Sequence, residues 1–135
     1  MSKTIMIVDD SASVRRVVGI ALKGAGYTVI EGSDGRDALA KLTGQKVHLI
    51  ISDVNMPNMD GITFLKAVKQ LPAYRFTPVI MLTTESEESK KREGQAAGAK
   101  AWVVKPFQPD QLIGAVQRLC RWPKKRRWPK AASCG

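Results

Sequence analysis

The run Leu49-Ile50-Ile51-Ser52-Asp53 constrains this chain more than any other stretch. It is short, apolar and stops on a carboxylate. The residues that follow, Val54-Asn55-Met56-Pro57-Asn58-Met59-Asp60-Gly61, cannot continue a strand. Pro57 lacks a backbone donor, and Asn58, Asp60 and Gly61 are turn formers. Asp53 therefore stands where a buried strand gives way to a loop. The pattern recurs. Ile5-Met6-Ile7-Val8 ends at Asp9-Asp10, Pro78-Val79-Ile80-Met81-Leu82 at Thr83-Thr84, and Ala101-Trp102-Val103-Val104 at Lys105-Pro106. Continuous apolar runs of this kind suit strands buried on both faces, as in a parallel sheet.

Between the runs the apolar period changes to that of a helix. Ser11 or Ser13 can cap a helix with Val14, Val17, Val18, Ala21 and Leu22 on one face, stopped by Gly24 and Gly26. Tyr27-Thr28-Val29-Ile30 reads as a second strand, and Asp34-Gly35 leads into a short helix through Ala38, Leu39 and Leu42. The third strand is expected over Val47 to Ser52, and a helix carrying Ile62, Leu65, Ala67, Val68 and Leu71 should stop before Pro72. A polar helix from Ser86 to Ala97 and a last one from about Asp110, burying Leu112, Ile113, Val116 and Leu119, complete the series. Five strand–helix units in alternation predict an α/β fold: a doubly wound, five-stranded parallel sheet, (βα)5, with helices on both faces.

All strand ends of a parallel sheet point to one edge, and ligands bind there in open α/β sheets. That edge should gather Asp9, Asp10, Asp53, Thr83 and Lys105. Carboxylates crowded in one cleft repel each other, and a divalent cation and a lysine would compensate them. Mg²⁺ takes hard oxygen ligands, which Asp10, Asp53 and a backbone carbonyl near Asn55 could supply. A carboxylate can act as nucleophile and form an aspartyl phosphate, with a metal and a lysine neutralising the phosphoryl oxygens and a threonine hydroxyl donating to one of them.

Charge divides the chain unevenly. The net charge is +10, yet residues 1–117 hold 15 Lys and Arg against 12 Asp and Glu, while residues 118–135 hold 7 Lys and Arg and no acid. The tail also repeats itself: Arg121-Trp122-Pro123-Lys124 returns as Arg127-Trp128-Pro129-Lys130. We expect residues 1–120 to form one domain and residues 121–135 a basic, disordered extension. Basic clusters with tryptophans can also bind nucleic acid or an acidic membrane, and the segment could be non-native sequence. No apolar stretch approaches a membrane span and no signal peptide is evident, so a cytoplasmic protein with Cys120 and Cys134 as free thiols is expected. His48, the only histidine, opens a strand and reads as structural.

Val8-Asp9-Asp10, Asp53 with Met56-Pro57 and Asp60-Gly61, Thr83, and Lys105-Pro106-Phe107 together resemble the receiver domain of two-component response regulators, most of all the single-domain chemotaxis (CheY-like) type, over about residues 3–120. The resemblance implies a flavodoxin-like fold with strand order 2-1-3-4-5. It implies Asp53 as phospho-acceptor, with Mg²⁺ held by Asp10 directly, by Asp9 through water, by Asp53 and by the Asn55 carbonyl. It also implies that Lys105 pairs with the acceptor and the phosphoryl group, and that Thr83 is the switch hydroxyl. Trp102 stands at the family's aromatic switch, usually tyrosine or phenylalanine; its bulk argues against an inward swing, and plain packing is the competing reading. Asn55 and Glu85 match residues that tune self-dephosphorylation, and the Lys105-Pro106 bond would be cis.

The function this implies is a signalling switch rather than an enzyme of metabolism. A partner histidine kinase would phosphorylate Asp53, and a downstream protein would be bound through the fourth helix, fifth strand and fifth helix. No membrane contact is expected, and no nucleic-acid contact outside the tail. Two rivals share parts of the pattern: a phosphatase forming an aspartyl phosphate, and a flavodoxin, although acids after the first strand would repel a flavin phosphate. A third is a nucleic-acid binder acting through the tail.

Overall fold

In a computed structural model, which describes residues 3–56, 58–83, 88–105 and 107–121, strands and helices alternate without exception. They are β1 (Thr4–Val8), α1 (Ala12–Gly24), β2 (Thr28–Gly32), α2 (Gly35–Leu42), β3 (Leu49–Asp53), α3 (Gly61–Gln70), β4 (Val79–Thr83), α4 (Glu88–Ala96), β5 (Ala101–Val104) and α5 (Pro109–Arg121). All neighbouring strands pair in parallel, in the order β2-β1-β3-β4-β5. The chain runs outward from β1 to β2 and then crosses to β3 on the other side. The switch point of the sheet thus lies between β1 and β3, where a crevice opens at the strand ends.

Alternation along each strand sorts the core into two layers. Ile5, Ile7, Leu49, Ile51, Ile80, Leu82 and Val103 pack on one face with Val18 and Leu22 of α1 and Leu112, Ala115 and Val116 of α5. Met6, Val8, Ile50, Val79 and Met81 pack on the other with Ala38 and Leu42 of α2 and Ile62, Phe64, Leu65 and Val68 of α3, joined by Ala97, Ala99 and Trp102. β3 and β4 are buried at every residue, as central strands of a doubly covered sheet must be.

Local chemistry explains the ends. Ser11, not Ser13, caps α1: its hydroxyl accepts from the Val14 N–H, and Asp34 and Asp60 cap α2 and α3 in the same way. α1 ends in a Schellman turn, with the Tyr27 N–H donating to the Leu22 carbonyl and Gly26 at φ 98°. Several expectations need correction. β2 runs Thr28–Gly32 rather than Tyr27–Ile30, and Leu71 is the exposed C-cap of α3 rather than part of its apolar face. β3 begins at Leu49 rather than Val47 and includes Asp53, because its pairing with β1 starts only at Leu49. Val17 is 53% exposed instead of buried on α1; it flanks an open apolar groove with Val14, Val18, Phe107 and Pro109. His48 is structural: its Nδ1 accepts from the Thr4 N–H at 2.9 Å, extending the β1–β3 pairing by a side chain. Among the described residues no helix is long and apolar enough to cross a membrane. Glu85, the Lys105-Pro106 bond and the repeated Trp-Pro units lie outside the described residues.

Candidate functional site

The carboxyl ends of β1 and β3 meet at the switch point, and the Lys105 side chain reaches them from just past β5. Carboxylate oxygens of Asp9, Asp10 and Asp53 lie within 4.8 Å of one another. Lys105 Nζ donates to Asp9 Oδ2 at 3.0 Å and stands 3.4 Å from Asp53 Oδ1. Asp9 is fully buried, Asp53 is 5% exposed, and Asp10 is exposed. The sequence-predicted acids and lysine are therefore one cluster, at graded depth.

Each is held by its backbone. Asp9 Oδ1 accepts the Ser11 N–H at 2.9 Å, so Asp9 helps start α1 while its other oxygen faces Lys105. The Asp9 N–H donates to the Gly32 carbonyl, one step beyond the β1–β2 ladder. The loop after Asp53 is pinned at both ends: Val54 N–H donates to the Leu82 carbonyl and Gly61 N–H to the Val54 carbonyl, each at 2.8 Å. Gly61 is obligatory there, because a Cβ at that position would stand 2.0 Å from the Asp53 carbonyl oxygen. The Lys105 N–H donates to the Thr83 carbonyl at 2.6 Å, tying the end of β5 to the end of β4.

The electrostatics are unbalanced. Burial, and then the Asp9 charge, push the Asp53 carboxyl up to about 6, against the pull of Lys105. Burial would lower the Lys105 ammonium, but its hydrogen bond to Asp9 and the charges of Asp9 and Asp53 outweigh that, and its pKa lies above the ordinary lysine value. Three carboxylates against one lysine leave uncompensated negative charge on oxygen ligands alone. That donor set suits a hard divalent cation such as Mg²⁺.

Strand parity divides the site. Asp9, Asp53 and Lys105 continue the α1/α5 face of their strands, while Thr83 and Trp102 follow Met81 on the α3/α4 face. Thr83 is buried at the end of β4. Trp102 packs inward against the core layer beneath α4, so its bulk is accommodated there. Asn55 is exposed in the loop between Asp53 and α3.

Three supporting contacts lie beyond what local pattern reveals, or nearly so. Arg15 donates from Nη1 to the Asp9 carbonyl at 2.5 Å and from Nε to Glu31 at 3.1 Å, bracing the β1–α1 turn. Asn58, at φ 68°, donates to Asp34 at 2.8 Å and so links the Asp53 loop to the cap of α2. Gly94 of α4 lies against the Trp102 ring. Only Asn58 carried a hint, since asparagine tolerates the left-handed region better than most residues.

The fold and the strand-end acids define a class, the doubly wound parallel α/β proteins with an acidic site at the switch point. The particular family follows from comparison. Residues 5–117 match the response regulator receiver domain, and the chain belongs to that family. It is 36% identical over 113 residues to Protein PilG of Pseudomonas aeruginosa, covering 84% of each chain. It superposes on the Vibrio cholerae chemotaxis protein CheY4 with a TM-score of 0.85 and 49% identity, over 88% of this chain and 99% of that one. The receiver domain of the P. aeruginosa sensor histidine kinase PA1611, whose active-site cleft coordinates a magnesium ion, matches with a TM-score of 0.81 and 25% identity, over 89% and 98%. The chain spans about half the length of the transcriptional regulators that it also matches.

Proposed function

We propose that residues 1–120 act as the phospho-accepting switch of a two-component, chemotaxis-type signalling system in the cytoplasm, with Asp53 as the acceptor. The supporting observation is the graded cluster at the switch point. Asp9 is fully buried with one oxygen on Lys105 and the other on the Ser11 N–H, which leaves it no path to an incoming phosphorus. Asp53, slightly less buried than Asp9, has Lys105 on one oxygen, and its other oxygen is left for the phosphorus. A carboxylate oxygen of Asp53 attacks the phosphorus of a phosphohistidine on a partner kinase. The new P–O bond forms as the P–N bond breaks, and the imidazole leaves with its electron pair.

Lys105 stabilises charge on the phosphoryl oxygens, and its ammonium is kept protonated by the two acids beside it. Asp10, Asp53 and the Asn55 carbonyl would hold Mg²⁺ directly and Asp9 through water, and the ion when bound would neutralise phosphoryl charge that Lys105 alone cannot. The Thr83 hydroxyl then donates to a phosphoryl oxygen from the opposite face of the sheet, and Trp102, two strand positions before the Thr83 partner Val104, responds. That response shifts a pre-existing equilibrium on the surface of α4, β5 and α5, where a downstream protein binds. Asn55 and Glu85 set the rate of self-dephosphorylation, and the basic segment 121–135 has no part in the switch.

Intact mass after mixing with Mg²⁺ and acetyl phosphate tests this, beside Asp53→Asn. A labile one-phosphoryl gain in the parent alone is expected. No gain in a parent that still binds Mg²⁺, or a gain that persists in the variant, would overturn it.

A further inference from the structure

Gly94 is a glycine without a backbone reason. It lies inside α4 rather than at its end, and it is not among the glycines with positive φ, which are Gly26, Gly44 and Gly98. Gly98 supplies the left-handed residue of the α4 stop: the Gly98 N–H donates to the Gln95 carbonyl and the Ala99 N–H to the Gly94 carbonyl. Glycine in a helix interior disfavours the helix relative to alanine. Here it does so in the least apolar helix of the fold, which can ill spare the loss. What the glycine permits is a contact. A Cβ on Gly94 would stand 2.6 Å from Cζ3 of Trp102, and 3.5 and 3.6 Å from Cε3 and Cη2. All three belong to the outer edge of a rigid ring, so relief requires the whole indole to move. The seat has a second property. Trp102 Nε1 is buried and, among the described residues, is the one buried side-chain nitrogen or oxygen with no hydrogen-bond partner. Packing holds the ring in, and an unmet donor favours letting it out to water.

We propose that Gly94 is a positioning residue for the α4 side of the site: its missing side chain forms the slot that seats the Trp102 indole. The seat is poised because shape holds the ring while its N–H lacks a partner. Gly94 acts only through Trp102, which pairs in register with Met81 two residues before Thr83. The role of the ring as a switch rests on the function proposed above, whereas the slot does not.

The test uses the full chain with Trp122→Phe and Trp128→Phe, so that Trp102 is the sole tryptophan of the three. Its emission and acrylamide quenching are read without phosphorylation in the parent and in Gly94→Ala. Overpacking of this kind should lower the ring-in population relative to ring-out by about 5- to 150-fold. That appears as a red-shifted emission and faster quenching, with Mg²⁺ binding retained. Because Phe lacks the outer ring edge, Gly94→Ala in a Trp102→Phe background should fold and melt at a higher temperature, as alanine improves the helix.

Unchanged emission in Gly94→Ala would overturn the proposal, as would destabilisation in both backgrounds. If Gly94→Ala unfolds the parent but not the Trp102→Phe chain, the size match is confirmed by rescue. Acetyl phosphate separates the two readings. Labelled Asp53 with no change in Trp102 emission on labelling in Gly94→Ala, against a change in the parent, is the expected result. A parent that fails to label overturns the phospho-acceptor reading and leaves the slot measurement standing.

Discussion

The two sides of the strand-end site are built by different physics. On the α1/α5 side, Asp9, Asp53 and Lys105 are held by directed bonds: the Ser11 N–H and Lys105 on Asp9, Lys105 beside Asp53, and a loop pinned at both ends by backbone hydrogen bonds. On the α4 side, Trp102 is held by shape, over a glycine, with its N–H unpartnered among the described residues. Directed bonds between charged groups fix positions to fractions of an ångström and tolerate little change. A ring in a slot has two available states separated by modest energy. In the function proposed above, the phospho-acceptor centre calls for the first property and the output surface for the second.

That contrast can be broken most severely at Gly61. A Cβ 2.0 Å from the Asp53 carbonyl leaves no room for a rotamer change, since both atoms are fixed by backbone. Gly61→Ala should cost about 4 kcal/mol or more of stability in urea titrations. A loss under about 1 kcal/mol would show that the loop gives way and that the charged side is not rigid.

Next in size is the charge imbalance itself. Burial and the Asp9 charge push the folded Asp53 carboxyl up to about 6, above the ordinary aspartate range, so the folded state binds the proton more tightly than the unfolded chain does. Stability from this group is fully present below the unfolded pKa and is lost as pH rises through about 6. By pH 7.5 the ionised group costs about 3 kcal/mol. In EDTA, Asp53→Asn should therefore be more stable than the parent at pH 7.5, by an amount approaching that figure, and the two curves should converge toward pH 4. Equal stabilities across that range would mean that solvent or Lys105 already compensates the cluster. Added Mg²⁺ should close the gap by stabilising the parent more than the variant.

Lys105→Met should act in the opposite direction. Removing the cation leaves Asp9 fully buried against Asp53. At pH 7.5 the loss should be about 2 kcal/mol, below that for a fully buried pair because the cluster opens to solvent. It should shrink below pH 6 as Asp53 takes up a proton. Labelling by acetyl phosphate should fall roughly a hundredfold. An undiminished rate would remove Lys105 from the chemistry.

The smallest effect is expected on the α4 side. Trp102→Phe gives up buried ring area but also removes the unpartnered N–H, and the two largely offset each other. A change within about 1 kcal/mol should appear in the same titrations. A loss of about 3 kcal/mol would mean that the indole is as firmly fixed as the carboxylates opposite.

How much of this was legible beforehand follows from the range of each interaction. Strand parity and strand ends are local properties: an apolar run, a break, a capping residue. They placed Asp9, Asp10, Asp53, Thr83 and Lys105 at the ends of β1, β3, β4 and β5, within a residue or two. Hydropathy starts β3 too early because Val47 is buried without being in the strand, and burial rather than pairing is what hydropathy reads. The helical period puts Val17 on the buried face because it marks an apolar stripe without saying how far the neighbouring helix extends to cover it.

The sequence by itself determined the alternation of elements, the parallel α/β class and the chemistry gathered at one edge. Those depend on periodicity and on residue type at element ends, which are written along the chain. Only the tertiary structure decided that Asp9 lies deeper than Asp53, that Thr83 approaches from the face opposite Lys105, that Arg15 braces Asp9, and that Gly94 makes room for Trp102. Each of those depends on which atoms two separate elements bring into contact, a distance set by the packing of the whole core.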